Sequence, residues 1–306
     1  MRATFWEEIN AIMGERSDIQ ILVSDTGFGC LDEIKRNFPG RCINVGIAEQ
    51  NMIGVAAGMA MEGLTPLCYA IAPFVTMRPF EQVRDDLCIE SLNVKLCGIG
   101  AGVDYNTLGS THHADCDIAV MRSLPNMTIY SPCDKASTRE LTRRMFDEGG
   151  PAYMRLSRYA EEKLYQWSAY STPCAFEIAK YGETCDVVIV ATGKMVGVAL
   201  EAAALSDCAD DVTVIDIYQL KPVDAALSSW LVGYSTIITL EEHSRIGGLG
   251  SLVAEVIADS DMEHDHEFIR LGMPDSFVRE YGSHDYLLRQ MGLDAESVAG
   301  VINGRA

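Results

Sequence analysis

Glu49 opens an otherwise apolar, small-residue stretch, Asn44-Val45-Gly46-Ile47-Ala48-Glu49-Gln50-Asn51-Met52-Ile53-Gly54-Val55-Ala56-Ala57-Gly58-Met59-Ala60. A lone carboxyl group in that setting has two readings. It complements the helix dipole in a first turn. Alternatively it sits in a dry wall, where desolvation favours its protonated form and lets it share a proton with a ligand nitrogen. Gly54 and Gly58, spaced i, i+4, allow another backbone to pack close to that face.

A second candidate is the loop Leu108-Gly109-Ser110-Thr111-His112-His113-Ala114-Asp115-Cys116-Asp117. Adjacent histidines point in different directions and seldom share one metal ion, so a metal site is not expected. Either the loop is plainly solvated, or one histidine bonds substrate or exchanges protons with it. In Phe74-Val75-Thr76-Met77-Arg78-Pro79-Phe80-Glu81-Gln82, the side chains of Phe74, Met77 and Phe80 line an apolar slot or belong to the core. Arg155 and Arg158 close an expected strand, where parallel sheets place ligand-binding groups; surface pairing with Glu161 or Glu162 is the alternative. Gly247-Gly248-Leu249-Gly250 lacks the spacing of a dinucleotide loop. The acidic run from Asp261 to Glu267 reads as a solvated loop.

Short β-rich runs alternate with longer helix-period segments, the pattern of parallel strands joined by crossover helices. Strands are expected at 20–24, 67–71, 94–99, 127–130 and 152–156, with helices at 49–62, 80–90 and 135–147; Pro79 fits the first turn of the second helix. Residues 158–184 are polar and aromatic and break the alternation. A second series follows, with strands at 186–191, 212–217, 236–240 and 267–271 and helices at 196–205 and 249–258. The expected fold is α/β in two domains, 1–160 and 185–306, each a mostly parallel sheet flanked by helices, with a linker over 161–184.

The 306 residues suffice for two such domains, and 48% hydrophobic content can fill their cores. Lys+Arg 24 against Asp+Glu 44 leaves a net charge of −20, which repels phosphate backbones and anionic lipid, so neither nucleic acid nor membrane is an expected partner. The ten cysteines are scattered singly, which suits reduced core thiols in the cytoplasm. A charged N-terminus gives no sign of a leader, and the most apolar stretch, 63–77, is too short to span a bilayer.

Taken together, these segments resemble the C-terminal half of a transketolase: the pyrimidine-binding domain of the thiamine-diphosphate family, followed by the transketolase C-terminal domain. The resemblance rests on Gly46-Ile47-Ala48-Glu49-Gln50, the Phe74–Gln82 segment, Gly109-Ser110-Thr111-His112-His113 and Met121-Arg122-Ser123-Leu124-Pro125-Asn126-Met127. It continues through Tyr130-Ser131-Pro132-Cys133-Asp134, Glu241-Glu242-His243 with Gly247-Gly248-Leu249-Gly250, and Pro274-Asp275-Ser276-Phe277.

The resemblance implies a transferase that moves a two-carbon ketol unit from a ketose-type donor to an aldehyde-type acceptor. Glu49 falls on the glutamate that hydrogen-bonds the cofactor's pyrimidine nitrogen and so helps the cofactor become a carbon nucleophile. Phe74, Met77 and Phe80 fall in the segment around the pyrimidine, His112 on the histidine that contacts substrate oxygens with His113 beside it, and Arg158 or Arg155 on an anion-binding position. The half of the family's site that holds diphosphate and Mg²⁺, a G-D-G segment followed by a distant Asn, has no counterpart in this sequence. The implied partner is a separate N-terminal subunit carrying that motif, in an α2β2 assembly.

Two positions depart from the family. Asn106-Thr107-Leu108-Gly109 stands where an acidic G-E-D-G stretch is usual, and Gly100 stands in place of a basic residue. Leu108 bonds no hydroxyl and Gly100 brings no charge, which points to a substrate without the terminal phosphate, or to a modified or nucleotide-linked sugar. The competing readings are the β-type subunit of a 2-oxo acid dehydrogenase or another acyl-transferring thiamine enzyme, and a non-catalytic scaffold paralogue.

Overall fold

The computed structural model describes residues 1–27, 29–159, 163–165, 177–183, 186–261 and 265–304. In the first half the strands are β1 (Ile19–Val23), β2 (Cys42–Asn44), β3 (Thr65–Ile71), β4 (Lys95–Ile99), β5 (Thr128–Tyr130) and β6 (Ala152–Leu156). In the second they are β7 (Glu177–Lys180), β8 (Val187–Ala191), β9 (Val212–Asp216), β10 (Gln219–Lys221), β11 (Thr236–Ser244) and β12 (Glu267–Met273). They form a seven-stranded sheet, β10-β5-β6-β4-β3-β1-β2, and a five-stranded sheet, β12-β11-β8-β9-β7.

All pairings are parallel except at one edge of each sheet, where β10 runs antiparallel to β5 and β7 antiparallel to β9. β4, β6 and β8 are buried at every residue, as expected for strands covered by helices on both faces. Two mostly parallel sheets with flanking helices are the expected α/β architecture. The segment expected to be a linker contributes a strand at Glu177–Lys180; residues 166–176 of it lie outside the described residues.

Several elements were not anticipated. Arg2–Glu15 is a helix that buries Phe5, Trp6, Ile9, Ile12 and Met13 against the first sheet's core. The expected helix at 80–90 is a short α segment, Phe80–Gln82, passing into a π-helical stretch, Val83–Cys88, with Pro79 at the N-cap. β10 crosses from the second half to pair with β5, so the two halves share a sheet edge. β11 runs four residues beyond the expected end and carries Glu241, Glu242 and His243 into the buried contact between the halves.

Among the described residues, no helix is long and apolar enough to cross a membrane. Eight cysteines are described and all are free thiols.

Candidate active site

The chemistry-bearing residues converge because they follow the carboxyl ends of neighbouring parallel strands. Ile71, Ile99 and Leu156, the last residues of β3, β4 and β6, stand in register side by side. The chain leaving β3 carries Phe74 and Arg78, that leaving β4 carries Tyr105 and His112, and that leaving β6 carries Arg158. β2 ends at Asn44, and Gly46, at φ +76°, turns the chain into the helix Glu49–Met61. Ligand sites of open α/β sheets form at this edge.

Glu49 occupies the first position of its helix and is 4% exposed. Both of its expected environments are therefore met at once: it lies at the positive end of the helix and inside a largely dry wall. An Arg78 guanidinium nitrogen lies 3.2 Å from each of its carboxylate oxygens. The same guanidinium lies over the Phe74 ring, 3.8 Å from its centroid. Phe74 meets the His112 ring edge-on at 5.0 Å, and His112 meets Tyr105 at 6.1 Å. Tyr105 in turn lies 4.8 Å beneath the Arg158 guanidinium. A continuous row of Glu49, Arg78, Phe74, His112, Tyr105 and Arg158 thus follows the carboxyl edge of the sheet, and its first two members line the mouth of an open cleft.

Burial, with the Arg78 charge nearby, lowers the pKa of His112 from its ordinary value. Its Nδ1 lies 3.0 Å from the Thr111 hydroxyl. A neutral imidazole held this way offers one donor and one acceptor, as contact with a carbonyl or hydroxyl requires. Arg158 is exposed and gives one bond to the Asp104 carbonyl oxygen, at 3.3 Å. Its expected surface partners Glu161 and Glu162 lie outside the described residues.

The remaining expected residues separate. Met77 is 38% exposed beside the cleft, its sulfur 3.3 Å from Cys116 Sγ. Phe80 is half-buried against the core under the helix Glu49–Met61. His113 is 1% exposed and burial lowers its pKa, so it packs beneath the loop and does not face the mouth. Arg155, expected as an alternative anion site, is buried: it donates to Asp117 at 2.8 Å and to the carbonyl oxygens of Ala114 and Glu242. Asp117 also accepts from the Tyr153 hydroxyl at 2.7 Å. Arg155 therefore ties the two halves together, leaving Arg158 as the arginine at the surface.

A buried polar cluster behind the mouth went unread in the sequence. His284 Nε2 lies 2.9 Å from Glu242 and 3.7 Å from Asp104, and its Nδ1 lies 2.9 Å from Lys194 Nζ. Glu242 also accepts from the Val103 N–H, and Asp104 from the Arg158 N–H, both at 2.6 Å. Asp104, Glu242 and His284 are close enough to hold a cation, but Lys194 and backbone N–H groups already supply positive charge and donors there. Burial and then the Glu242 charge raise the Asp104 pKa to about 6. Glu241, Glu242 and His243 served as landmarks of resemblance, yet nothing in their spacing indicated that they would meet Asp104 and His284 in space.

A planar nitrogen heterocycle needs a carboxyl group at one ring nitrogen, a flat apolar face and room to enter. Glu49 supplies the first, Phe74 the second, and an open cleft of about 520 Å³ lined by Ile47, Ala48, Glu49, Gln50, Asn51 and Arg78 the third. These residues fit the pyrimidine half of thiamine diphosphate once Arg78 has moved off the carboxylate.

The family model described as transketolase, pyrimidine binding domain, matches residues 1–162, and that of the transketolase C-terminal domain matches 177–298. The chain is 33% identical over 304 residues to one of the subunits of the apulose-4-phosphate transketolase of Phocaeicola vulgatus, covering 97% of this chain and 94% of that protein. It is 34% identical over 289 residues to a 6-deoxy-6-sulfo-D-fructose transketolase subunit of a Clostridium species, covering 92% and 88%. A solved split gene transketolase, described as an inactive beta4 tetramer, superposes with a TM-score of 0.85 at 34% identity, covering 99% and 97%.

Proposed function

Because this chain belongs to the transketolase family, we propose that it is the C-terminal, β-type subunit of a split transketolase. Together with an N-terminal subunit it transfers a two-carbon ketol unit from a ketose-type donor to an aldehyde-type acceptor. The observation that carries this reading is the buried Glu49 carboxylate at the floor of an open cleft, joined by a row of rings to His112 and Arg158. Subunit-type relatives match over nearly their whole length, which supports a division of the enzyme between two chains.

Bound thiamine diphosphate supplies the carbon nucleophile that such a transfer requires. Glu49 holds the proton at the pyrimidine nitrogen, in a wall that keeps water from competing for it. Phe74 provides the apolar wall and excludes water. His112 bonds the oxygens of the reacting end of the substrate. Arg158 takes the terminal oxyanion, and apulose 4-phosphate and 6-deoxy-6-sulfofructose, which give two relatives their names, both carry one.

The diphosphate and Mg²⁺ side belongs to the partner, which carries a G-D-G…N motif and completes an α2β2 assembly in the cytoplasm. The face of the Glu49–Met61 helix supports that docking. Ile47 is 77% and Met61 72% exposed, and no atom lies within 4 Å of a Cβ placed on Gly54 or Gly58 between them. Closely approaching helices and an apolar stripe suit a protein interface better than water.

The test is an affinity pull-down of the tagged chain from its native cell with thiamine diphosphate and Mg²⁺ present, read by mass spectrometry. A near-stoichiometric chain with the G-D-G…N motif is expected. A chain that comes down alone and retains no cofactor would contradict the reading.

A further inference from the structure

Tyr105 stands between the two residues assigned to opposite ends of the substrate. Its ring lies 6.1 Å from that of His112, tilted by 59°, and 4.8 Å from the Arg158 guanidinium carbon. We propose that Tyr105 is a specificity-determining residue: its ring is the platform for the middle carbons of a short anionic sugar, between His112 and Arg158. This rests on the transketolase reading and deepens it.

The ring is held in place. Gly100, directly after β4, has φ +93°, and a Cβ built there would overlap the Tyr105 ring. Any side chain at position 100 and the present position of this ring therefore exclude each other. The departure noted in the sequence, a missing basic group at Gly100, is thus a replacement of one wall by another. The Leu108 N–H donates to the Tyr105 carbonyl at 2.9 Å, and the Ser110 hydroxyl donates to the Val278 carbonyl at 2.5 Å, which fixes the rest of the loop.

The chemistry of the pocket follows from that wall. Tyr105 is half-buried between His112 and Arg158, so the span between the polar ends is aromatic. An aromatic face attracts the C–H side of a sugar and the cation above it, but it does not read individual hydroxyls as a carboxylate does. Across this span internal hydroxyls go unread, so an internal deoxy carbon is tolerated, while the terminal anion beside Arg158 is required.

The test uses the complex of this chain with its partner subunit. Hydroxypyruvate is the donor, with a four-carbon aldose phosphate or glycolaldehyde as acceptor. Glycolaldehyde is too short to reach across the ring. In Tyr105→Leu, the preference for the aldose phosphate, as a ratio of kcat/KM values, is expected to fall about tenfold, through KM and not kcat. Tyr105→Phe keeps the ring and is expected to keep that ratio. An unchanged ratio in Tyr105→Leu overturns the proposal, whatever the variant's stability. Donor consumption by the unmodified complex is read separately: its absence overturns the transketolase reading and this proposal with it.

Discussion

Arg78 lies 3.2 Å from both carboxylate oxygens of Glu49 while its guanidinium covers the Phe74 ring at 3.8 Å. A planar cation thereby occupies the carboxylate and the aromatic face that a pyrimidine would use. Arg78 is 46% exposed, whereas Glu49 is 4% exposed. In the free chain Arg78 is the counter-ion of a buried charge.

Removing that counter-ion should cost stability only while Glu49 is ionised. Arg78→Gln is expected to destabilise the isolated chain by about 1 kcal/mol at neutral pH, a small figure because Arg78 is half in water. In a Glu49→Gln background the same change should cost close to nothing. Denaturant unfolding of the four chains measures this coupling. Equal costs in both backgrounds would mean that the ion pair carries no stability.

Glu49→Gln keeps the volume and removes the ionisable carboxyl group. In the complex with its partner it is expected to lower kcat by at least about a hundredfold, the scale of a lost acid–base group, while assembly stays intact. Steady-state kinetics and size-exclusion chromatography check the two halves of that statement. Unchanged turnover would remove Glu49 from the mechanism.

The two arginines that follow one another in sequence should behave differently. Arg155 is buried and bonded to Asp117, so Arg155→Met leaves an uncompensated charge and should cost about 3–5 kcal/mol of stability. Arg158→Ala, at the surface, should leave the melting temperature nearly in place and raise KM for an anionic acceptor about tenfold. Melting curves and acceptor titrations separate them. A KM effect confined to Arg155→Met would reverse the assignment.

The buried carboxyl groups give stability a defined pH dependence. Burial, with the Glu242 charge, raises Asp104 from 3.8 to about 6, and burial raises Glu241 from 4.5 to about 7. On His284 burial opposes charge, but Glu242 outweighs it and raises that pKa too. A raised group stabilises the fold at pH below its unfolded value and loses that contribution as pH climbs through its folded value. Glu242, whose pKa is lowered by His284 against the effect of burial, works the other way and loses its contribution in acid. Burial lowers the pKa values of His113, His243 and the Met1 amine, which push the other way as pH rises, so the Asp104 share is read by difference: the melting temperature of Asp104→Asn is expected to gain on that of the unmodified chain between pH 4 and 6. A constant offset between the two chains over that range would refute this.

Much of the mouth was legible in the sequence because its residues sit on short motifs at strand ends. Phe74, His112 and Arg158 each follow a strand marked by its own apolar run, whereas Glu49 was marked by the helix it opens and the short strand before it, Cys42–Asn44, was not anticipated. Arg78 could also have been read, since it lies four residues after Phe74 in an already selected segment. The helix Arg2–Glu15 had its signal in Phe5, Ile9 and Ile12, spaced one or two turns apart.

What stayed hidden depends on contacts between distant segments. The sequence gives no cue that Asp104 will meet His284, or that β10, three residues long, will leave the second half to pair with β5. Arg155 looked like an anion-binding group because strand ends favour ligands. Its burial follows from Asp117, 38 residues away, and from the chain that brings the Glu242 carbonyl to it.

The central claim is that this chain provides half of an active site. Its most direct test is ketol transfer from hydroxypyruvate to an aldose phosphate, with thiamine diphosphate and Mg²⁺, by the purified chain alone and by the chain mixed equimolar with its partner. The expected result is no turnover by the chain alone, turnover in the mixture, and loss of that turnover with Glu49→Gln. Thiamine-dependent transfer by the chain alone would contradict it.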